Sequence, residues 1–336
     1  MASRVLVLHT GGTIGMMRSP DGYRPMAGFD QVLHRLLGAQ PDPRLPEFDV
    51  VEIGQLIDSA NLQPSHWTEI ARELLGRWDR YDGFVVLHGT DTMAYSASAL
   101  SFMLRGPGKP VIFTGAQIPF GELRSDALEN LVGALILAGG YPIPEVCLYF
   151  NGRLLRGNRS SKMKSEGFDA FDSPNYPHLA DVGLHIDVHS GALLPPAARE
   201  FAVPDFDPEA VVVLPVYPGI SARIVDAVLG SPTVRGLILR TYGVGNPPDA
   251  QHAFMAALER AVARGVIVLN TTQCPSGSVI QGTYATGASL NRIGVVPGGD
   301  MTLEAAFTKL HFLLAAGAPP DAVRVALGQA VCGELS

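Results

Sequence analysis

Three short segments join glycine to hydroxyl or carboxylate side chains immediately after apolar, β-branched runs. The first is His9-Thr10-Gly11-Gly12-Thr13-Ile14-Gly15, after Val5 to Leu8. The second is His88-Gly89-Thr90-Asp91-Thr92, after Phe84 to Leu87. The third is Thr114-Gly115-Ala116-Gln117, after Val111 to Phe113. Glycine lets a chain turn sharply and brings its N–H groups close to a ligand, and a threonine hydroxyl with a proton acceptor nearby is a nucleophile. Each segment also has a plainer reading. The first fits a tight turn, or a nucleotide-phosphate loop, although its Gly-Gly-x-x-Gly order is not the dinucleotide fingerprint and no Gly-Lys-Ser/Thr follows. In the second, Asp91 could cap a helix beginning near Thr92. In the third, a small residue beside glycine permits close backbone approach to a substrate.

A hydroxyl needs a group to remove its proton. His9 and His88 are available, but a histidine at a strand end is more often packed or hydrogen-bonded than catalytic. Lys162, in Arg156-Gly157-Asn158-Arg159-Ser160-Ser161-Lys162, is the candidate cation. It is either a solvated loop residue or a partly desolvated lysine that relays protons beside a hydroxyl and a carboxylate. No His-Glu-x-x-His and no clustered Cys/His spacing point to a metal, and no cofactor is expected. No Gly-x-Ser-x-Gly elbow follows a strand. The working chemistry is therefore that of Thr, Lys, Asp and Tyr.

The elements that position these groups can be read from periodicity. Besides the three runs above, Val146 to Phe150, Val211 to Val216, Leu237 to Leu239 and Val266 to Leu269 are short and unbroken in hydrophobicity, as in strands buried on both faces. Helical spacing fills Pro64 to Trp78, Thr92 to Leu104, Ser125 to Leu137, Asp249 to Ala263 and Leu303 to Ala315. The alternation predicts an α/β fold, with a larger N-terminal domain holding a mainly parallel sheet flanked by helices and a smaller α/β C-terminal domain. From about Ser190 to Glu209 the rhythm yields to Pro195-Pro196, Pro204, Pro208 and acidic residues, a connector composition. The expected domains are 1–189 (catalytic) and 211–336, joined by a linker at 190–210.

Composition narrows the class. A chain of 336 residues with 47% apolar and 17% charged residues can bury large cores and is too apolar for disorder. A net charge of -7 without a basic block argues against nucleic acid or an anionic membrane as partner. There is no secretory pattern and no apolar run of about 18 residues. Cys147, Cys274 and Cys332 are widely spaced without a CxxC pair, which suits a reducing compartment. The chain reads as soluble and cytoplasmic.

Thr-Gly-Gly-Thr-Ile at 10–14 and His-Gly-Thr-Asp-Thr at 88–92 together resemble the two signatures of the bacterial asparaginase family, and the sequence looks most similar to its cytoplasmic type I branch. The likeness runs on through Lys109 to Gln117, Leu123-Arg124-Ser125-Asp126, Arg156 to Arg159, Leu239 to Asn246, Tyr284-Ala285-Thr286-Gly287 and Asp300 to Ala305. It implies hydrolysis of L-asparagine to L-aspartate and ammonia, with Thr13 as nucleophile and a β-aspartyl ester as intermediate. It further implies that Thr90, Asp91 and Lys162 form a second cluster in which Lys162 supports deprotonation through Thr90. Tyr23 would face Thr13 from a lid over Met16 to Arg24, with a Ser-Pro-Asp-Gly turn at 19–22.

By the same resemblance Asp58-Ser59 would hold the substrate α-carboxylate and α-amino group, although locally the pair also fits a plain turn. Asp91 would add a carboxylate for the ammonium, and the Ala116 carbonyl would face the leaving nitrogen. Relatives assemble as dimers or tetramers, and Asn246 is the match for a residue donated to a neighbouring subunit's site. Ser161, Arg240 and Cys274 fall where an activating asparagine would bind. Two other readings stand beside this one. The amidase subunit of a tRNA-dependent amidotransferase shares both threonine signatures but would be expected to carry an additional N-terminal domain and a partner. A non-catalytic amino-acid-binding or nucleotide-binding α/β protein would have no need of the reactive set.

Overall fold

The computed structural model describes residues 3–20, 22–26, 28–38, 42–282 and 285–336, with backbone only at 285 and 286. Asp21 of the 19–22 turn and Tyr284 of the Tyr284 to Gly287 motif lie outside the described residues, as does the side chain of Thr286. The chain forms two compact units, Met1–Val203 and Pro204–Ser336.

The first unit contains, in order, β1 (Arg4–Gly11), β2 (Met16–Ser19), β3 (Gly22–Pro25), α1 (Phe29–Gly38), β4 (Glu47–Ile57), α2 (Pro64–Leu75), β5 (Gly83–Leu87), α3 (Met93–Met103), β6 (Leu104–Arg105) and β7 (Val111–Thr114). It continues with α4 (Ala127–Gly140), β8 (Val146–Phe150), β9 (Arg153–Arg156), β10 (Ser161–Lys162), β11 (Phe171–Asp172), β12 (Ala180–Val182), β13 (Ile186–Val188) and β14 (Glu200–Phe201). The main sheet has eight strands in the order β13-β12-β9-β8-β7-β5-β1-β4. The five strands from β8 to β4 are parallel, and β9, β12 and β13 extend the sheet antiparallel. β1, β5, β7 and β8 are the uninterrupted apolar runs, and nearly every residue in them is buried.

The helices follow their patterns. In α2, Trp67, Ile70, Ala71 and Leu74 form the buried stripe, Pro64 occupies the first turn and Gln63 with His66 closes a capping box. By contrast, α3 is buried at every position except Tyr95, which is why it carries no charged face. Glu200–Phe201, inside the stretch expected to be a connector, pairs with Leu104–Arg105 of the first unit.

The second unit holds β15 (Val211–Pro215), α5 (Ala222–Leu229), β16 (Gly236–Thr241), α6 (His252–Ala263), β17 (Ile267–Thr272), α7 (Ala285–Arg292), β18 (Val296–Pro297), α8 (Leu303–Ala315) and α9 (Pro320–Leu327). Its four-stranded sheet, β15-β16-β17-β18, is wholly parallel. Alternate strand residues serve two cores. Leu237 and Leu239 pack with Phe254 and Leu258 of α6, while Ile238 packs with Ala305 and Leu310 of α8.

Candidate active site

Parallel neighbours end at the same sheet edge, so β1, β4, β5 and β7 release the turns that follow them side by side. Those turns are the three glycine-hydroxyl segments and Asp58-Ser59. After β1, Gly12 turns at φ 85°, a conformation that glycine adopts without penalty. A Cβ on Gly12 would lie 2.3 Å from the backbone nitrogen of Gly89, and one on Gly89 would lie 2.4 Å from Ser59 Oγ. The glycines are thus contact points between turns. They bring the residue before Thr13, the residue before Thr90, and Ser59 into van der Waals contact.

Thr13 opens the short 3-10 turn Thr13–Gly15 and is half-buried. Thr90 is buried, and its Oγ1 accepts a hydrogen bond from Lys162 Nζ at 2.9 Å. Lys162 Nζ also pairs with Asp91 Oδ1 at 2.7 Å. Lys162 is held for this by β10, where it registers with Phe171 of β11, and by the buried turn Gly157–Arg159 before it. Gly157 in that turn is packed against the Ala97 carbonyl of α3. The carboxylate of Asp91 therefore does not cap α3. Thr92 is the residue at that helix start, no side chain caps it, and Thr92 Oγ1 instead donates to the Ser59 carbonyl at 2.8 Å.

Asp58 and Ser59 occupy a 3-10 turn in which Asp58 accepts from the Ala60 N–H. Ser59 is buried and Asp58 exposed. Ala116 is buried in the turn after β7. This turn is fixed by α4: Asn130 Nδ2 donates to the Gly115 carbonyl at 3.0 Å, and the Gln117 and Ile118 N–H groups donate to the Asp126 carboxylate. Tyr23 lies on β3 opposite Arg18 of β2 and is half-exposed, and among the described residues no hydrogen bond joins it to Thr13. The hairpin is tied to the 118–125 loop by an Arg18–Glu122 ion pair at 3.5 Å.

Both histidines are structural. His88 is buried, its Nδ1 lies 2.8 Å from the Gly89 carbonyl and its Nε2 lies 2.9 Å from Ser96 Oγ. A carbonyl only accepts, so Nδ1 carries the proton and Nε2 accepts from the serine. Burial lowers its pKa from 6.5 to about 4. His9 is lowered to about 4 by the same cause, and its Nδ1 accepts from the Gly11 N–H at 3.3 Å. The ring fits beside Gly15 only because that residue has no Cβ, which would fall 2.3 Å from Nε2.

Residue types and spacing did not single out Gln117. Its Oε1 accepts from Thr90 Oγ1 at 3.3 Å, and its Nε2 donates to the Ser165 and Gly167 carbonyls at 3.2 and 3.0 Å. The partners lie 27 and about 50 positions away in the chain, beyond the reach of any local pattern. Ser161 precedes Lys162 in β10 and is half-buried. Arg240, Asn246 and Cys274 belong to the second unit, at or just beyond the ends of β16 and β17. Among the described residues no group of His, Cys, Asp and Glu is arranged to hold a metal ion.

Residues 4–193 match the family described as "Asparaginase, N-terminal", and residues 210–327 match "Glutaminase/Asparaginase C-terminal domain". The chain belongs to the asparaginase family. It is 49% identical to L-asparaginase 1 of Escherichia coli (strain K12), covering 99% of this chain and 98% of that protein. L-asparaginase I from Vibrio cholerae superposes with a TM-score of 0.92 at 43% identity, covering 100% of both chains. The thermostable L-asparaginase from Thermococcus kodakarensis gives 0.90 at 34% identity, covering 99% of each.

Proposed function

We propose that this protein is an L-asparaginase that hydrolyses the side-chain amide of L-asparagine to L-aspartate and ammonia. The observation that carries the reading is the hydrogen-bonded set Lys162–Thr90–Asp91, one glycine contact away from the Thr13 turn, in a chain of this family. Thr13 Oγ attacks the amide carbon, and its proton passes to the leaving nitrogen by way of the Thr90 hydroxyl, whose oxygen is held by the hydrogen bond from Lys162 Nζ. Backbone N–H groups of the glycine turns face the oxyanion. The C–N bond breaks, ammonia leaves with the proton, and a β-aspartyl ester remains on Thr13. Water adds to the ester, the bond to Thr13 breaks, and aspartate departs as the hydroxyl is restored.

A zwitterionic substrate calls for a carboxylate at one end and donors at the other. Asp58, Ser59 and Asp91 take those parts, the Ala116 carbonyl faces the leaving nitrogen, and Tyr23 closes over Thr13 on the 16–24 lid. Asn246 completes the site of a neighbouring copy in a dimer or tetramer. Ser161, Arg240 and Cys274 form a second asparagine site, for which sigmoidal kinetics abolished by Arg240→Ala is the expected sign. Hyperbolic kinetics in the intact enzyme would remove that site from the reading. We assign residues 1–189 to the catalytic domain, 190–210 to a linker and 211–336 to the C-terminal domain. Cys147, Cys274 and Cys332, widely spaced and without a CxxC pair, support a reducing, cytoplasmic setting, and no described helix is long and apolar enough to cross a membrane.

Ammonia release from asparagine, with glutamine in parallel and molecular mass measured in solution, tests the proposal. Turnover of asparagine is expected. Its absence in the intact, folded oligomer would overturn the assignment.

A further inference from the structure

The second unit has strand ends of its own, and one of them carries a buried polar network. Asn270 of β17 is fully buried. Its Oδ1 accepts from Thr241 Oγ1 at 2.7 Å, and its Nδ2 donates to the Gly245 carbonyl at 3.1 Å and to Gln281 Oε1 at 3.0 Å. Its main-chain carbonyl accepts from the Gly298 N–H at 2.8 Å. A buried amide persists where its donors and acceptors are matched, and here the side-chain partners come from the end of β16, the 242–246 loop and the 279–282 segment. The three residues before it in β17 (Ile267, Val268 and Leu269) are buried hydrophobes, and so is its register partner Leu239. A hydrophobe at 270 would serve the core equally well. The amide serves the loop.

That loop is closed at its base and held from outside. Tyr242 and Asn246 exchange both backbone hydrogen bonds, at 3.1 and 2.8 Å, and the Ile280 N–H donates to the Val244 carbonyl at 3.0 Å. Gly245 sits at φ 110°, where a Cβ would fall 2.7 Å from Val279 Cγ1 and 3.0 Å from Asn270 Nδ2. With its carbonyl drawn to Asn270, the peptide between Gly245 and Asn246 has one orientation, and its N–H turns to the Tyr242 carbonyl.

We propose that Asn270 is a positioning residue for Asn246: it fixes the 242–246 loop in the one conformation that presents Asn246 to asparagine in a neighbouring subunit's site. This rests on the reading that Asn246 completes that site. Asn270→Asp keeps the shape and the acceptor for Thr241 but places oxygen against two oxygens. Thr241→Val, nearly isosteric, removes one tie and guards against a variant that does not fold.

The test combines kinetics with hybrid oligomers made by co-expressing two differently tagged chains. Asn270→Asp is expected to raise KM for asparagine about tenfold with kcat within about twofold, and Thr241→Val to raise it about threefold. Co-purified hybrids of Thr13→Ala with Asn270→Asp should contain sites of wild-type KM, because an intact Thr13 from one chain meets an intact loop from the other. Hybrids of Thr13→Ala with Asn246→Ala should behave alike. If the Asn270→Asp hybrids keep the raised KM, the residue acts inside its own subunit and the proposal fails. If Asn246→Ala is impaired and complemented while Asn270→Asp and Thr241→Val keep wild-type KM, the proposal alone falls. Wild-type kinetics in Asn246→Ala would overturn the underlying reading, and the proposal with it.

Discussion

Lys309 and Lys162 are each paired with a carboxylate, and their surroundings differ in one respect that separates structure from chemistry. Lys309 of α8 is fully buried, as is Glu334, and the pair lies 2.6 Å apart. The other donors of Lys309 go to the Leu327 and Gln329 carbonyls at 3.2 and 2.6 Å. Glu334 accepts in turn from the Val331 and Cys332 N–H groups. An ammonium has three donors, and all three are spent on the chain's last turns. Lys162 is 19% exposed and its partner Asp91 is 61% exposed. Among the described residues its hydrogen bonds reach two oxygens, Thr90 Oγ1 and Asp91 Oδ1. A saturated pair in the core closes a fold, whereas an incomplete one beside a buried hydroxyl has capacity left for a reacting group.

The largest expected effects fall on the open pair. Lys162→Met and Thr13→Ala should each lower kcat by about 10³-fold or more, with a melting temperature close to that of the parent. Steady-state kinetics beside thermal unfolding checks both halves. Near-full activity in either variant would erase the distinction between the two lysines at that residue.

The saturated pair should respond in the opposite way. Lys309→Met leaves the Glu334 carboxylate and two carbonyls buried without their partner, at a cost of about 3–5 kcal/mol. Urea unfolding should show that loss, while kcat per folded molecule stays within about twofold. A fall in kcat with unchanged stability would mean that the buried pair reaches the chemistry after all.

The comparison also extends to pH, through the buried rings behind the site. His88 and His9 have pKa values lowered from 6.5 to about 4 by burial. Their stabilising contribution is complete above 6.5, where both states are neutral. As pH falls below 6.5 the unfolded chain takes up protons that the folded chain does not, and stability drops until about pH 4. The difference corresponds to about 3 kcal/mol per ring, at about 1.4 kcal/mol per tenfold in proton concentration. Denaturation measured from pH 7 to 4 should show the slope, and it should be shallower in His88→Gln. An unchanged slope would show that His88 is already charged in the native state.

Much of this was legible in the sequence because it is local. The strands β1, β5, β7 and β8 are unbroken apolar runs, and the turns after three of them hold Thr13, Thr90, Asp91 and Ala116. The long β4 was not legible, since most of its residues are only partly buried or exposed and it has no apolar run of that kind. The two-residue strands β10 and β11 are too short for periodicity, so the element that delivers Lys162 left no trace beyond its composition. Asp91 looked equally suited to capping α3, because its pairing with Lys162 spans 71 positions. The local turn reading did describe Asp58, which accepts from Ala60 two residues on.

Gln117 gives the smallest of the expected effects and the finest division of the open pair. With Lys162 donating to Thr90 Oγ1, the hydroxyl's own proton points to Gln117 Oε1, while Gln117 Nε2 anchors the loop that follows Lys162. Gln117→Leu removes both ends and should lower kcat about tenfold. Gln117→Glu separates them, because a carboxylate accepts the Thr90 proton but cannot donate to Ser165 and Gly167. If orienting the hydroxyl is what matters, the glutamate variant keeps most of the activity that the leucine variant loses. If both variants fall together, the anchor on the 165–167 carbonyls is the working half. Wild-type kinetics in the leucine variant would leave the hydrogen bond from Lys162 as the one that Thr90 requires.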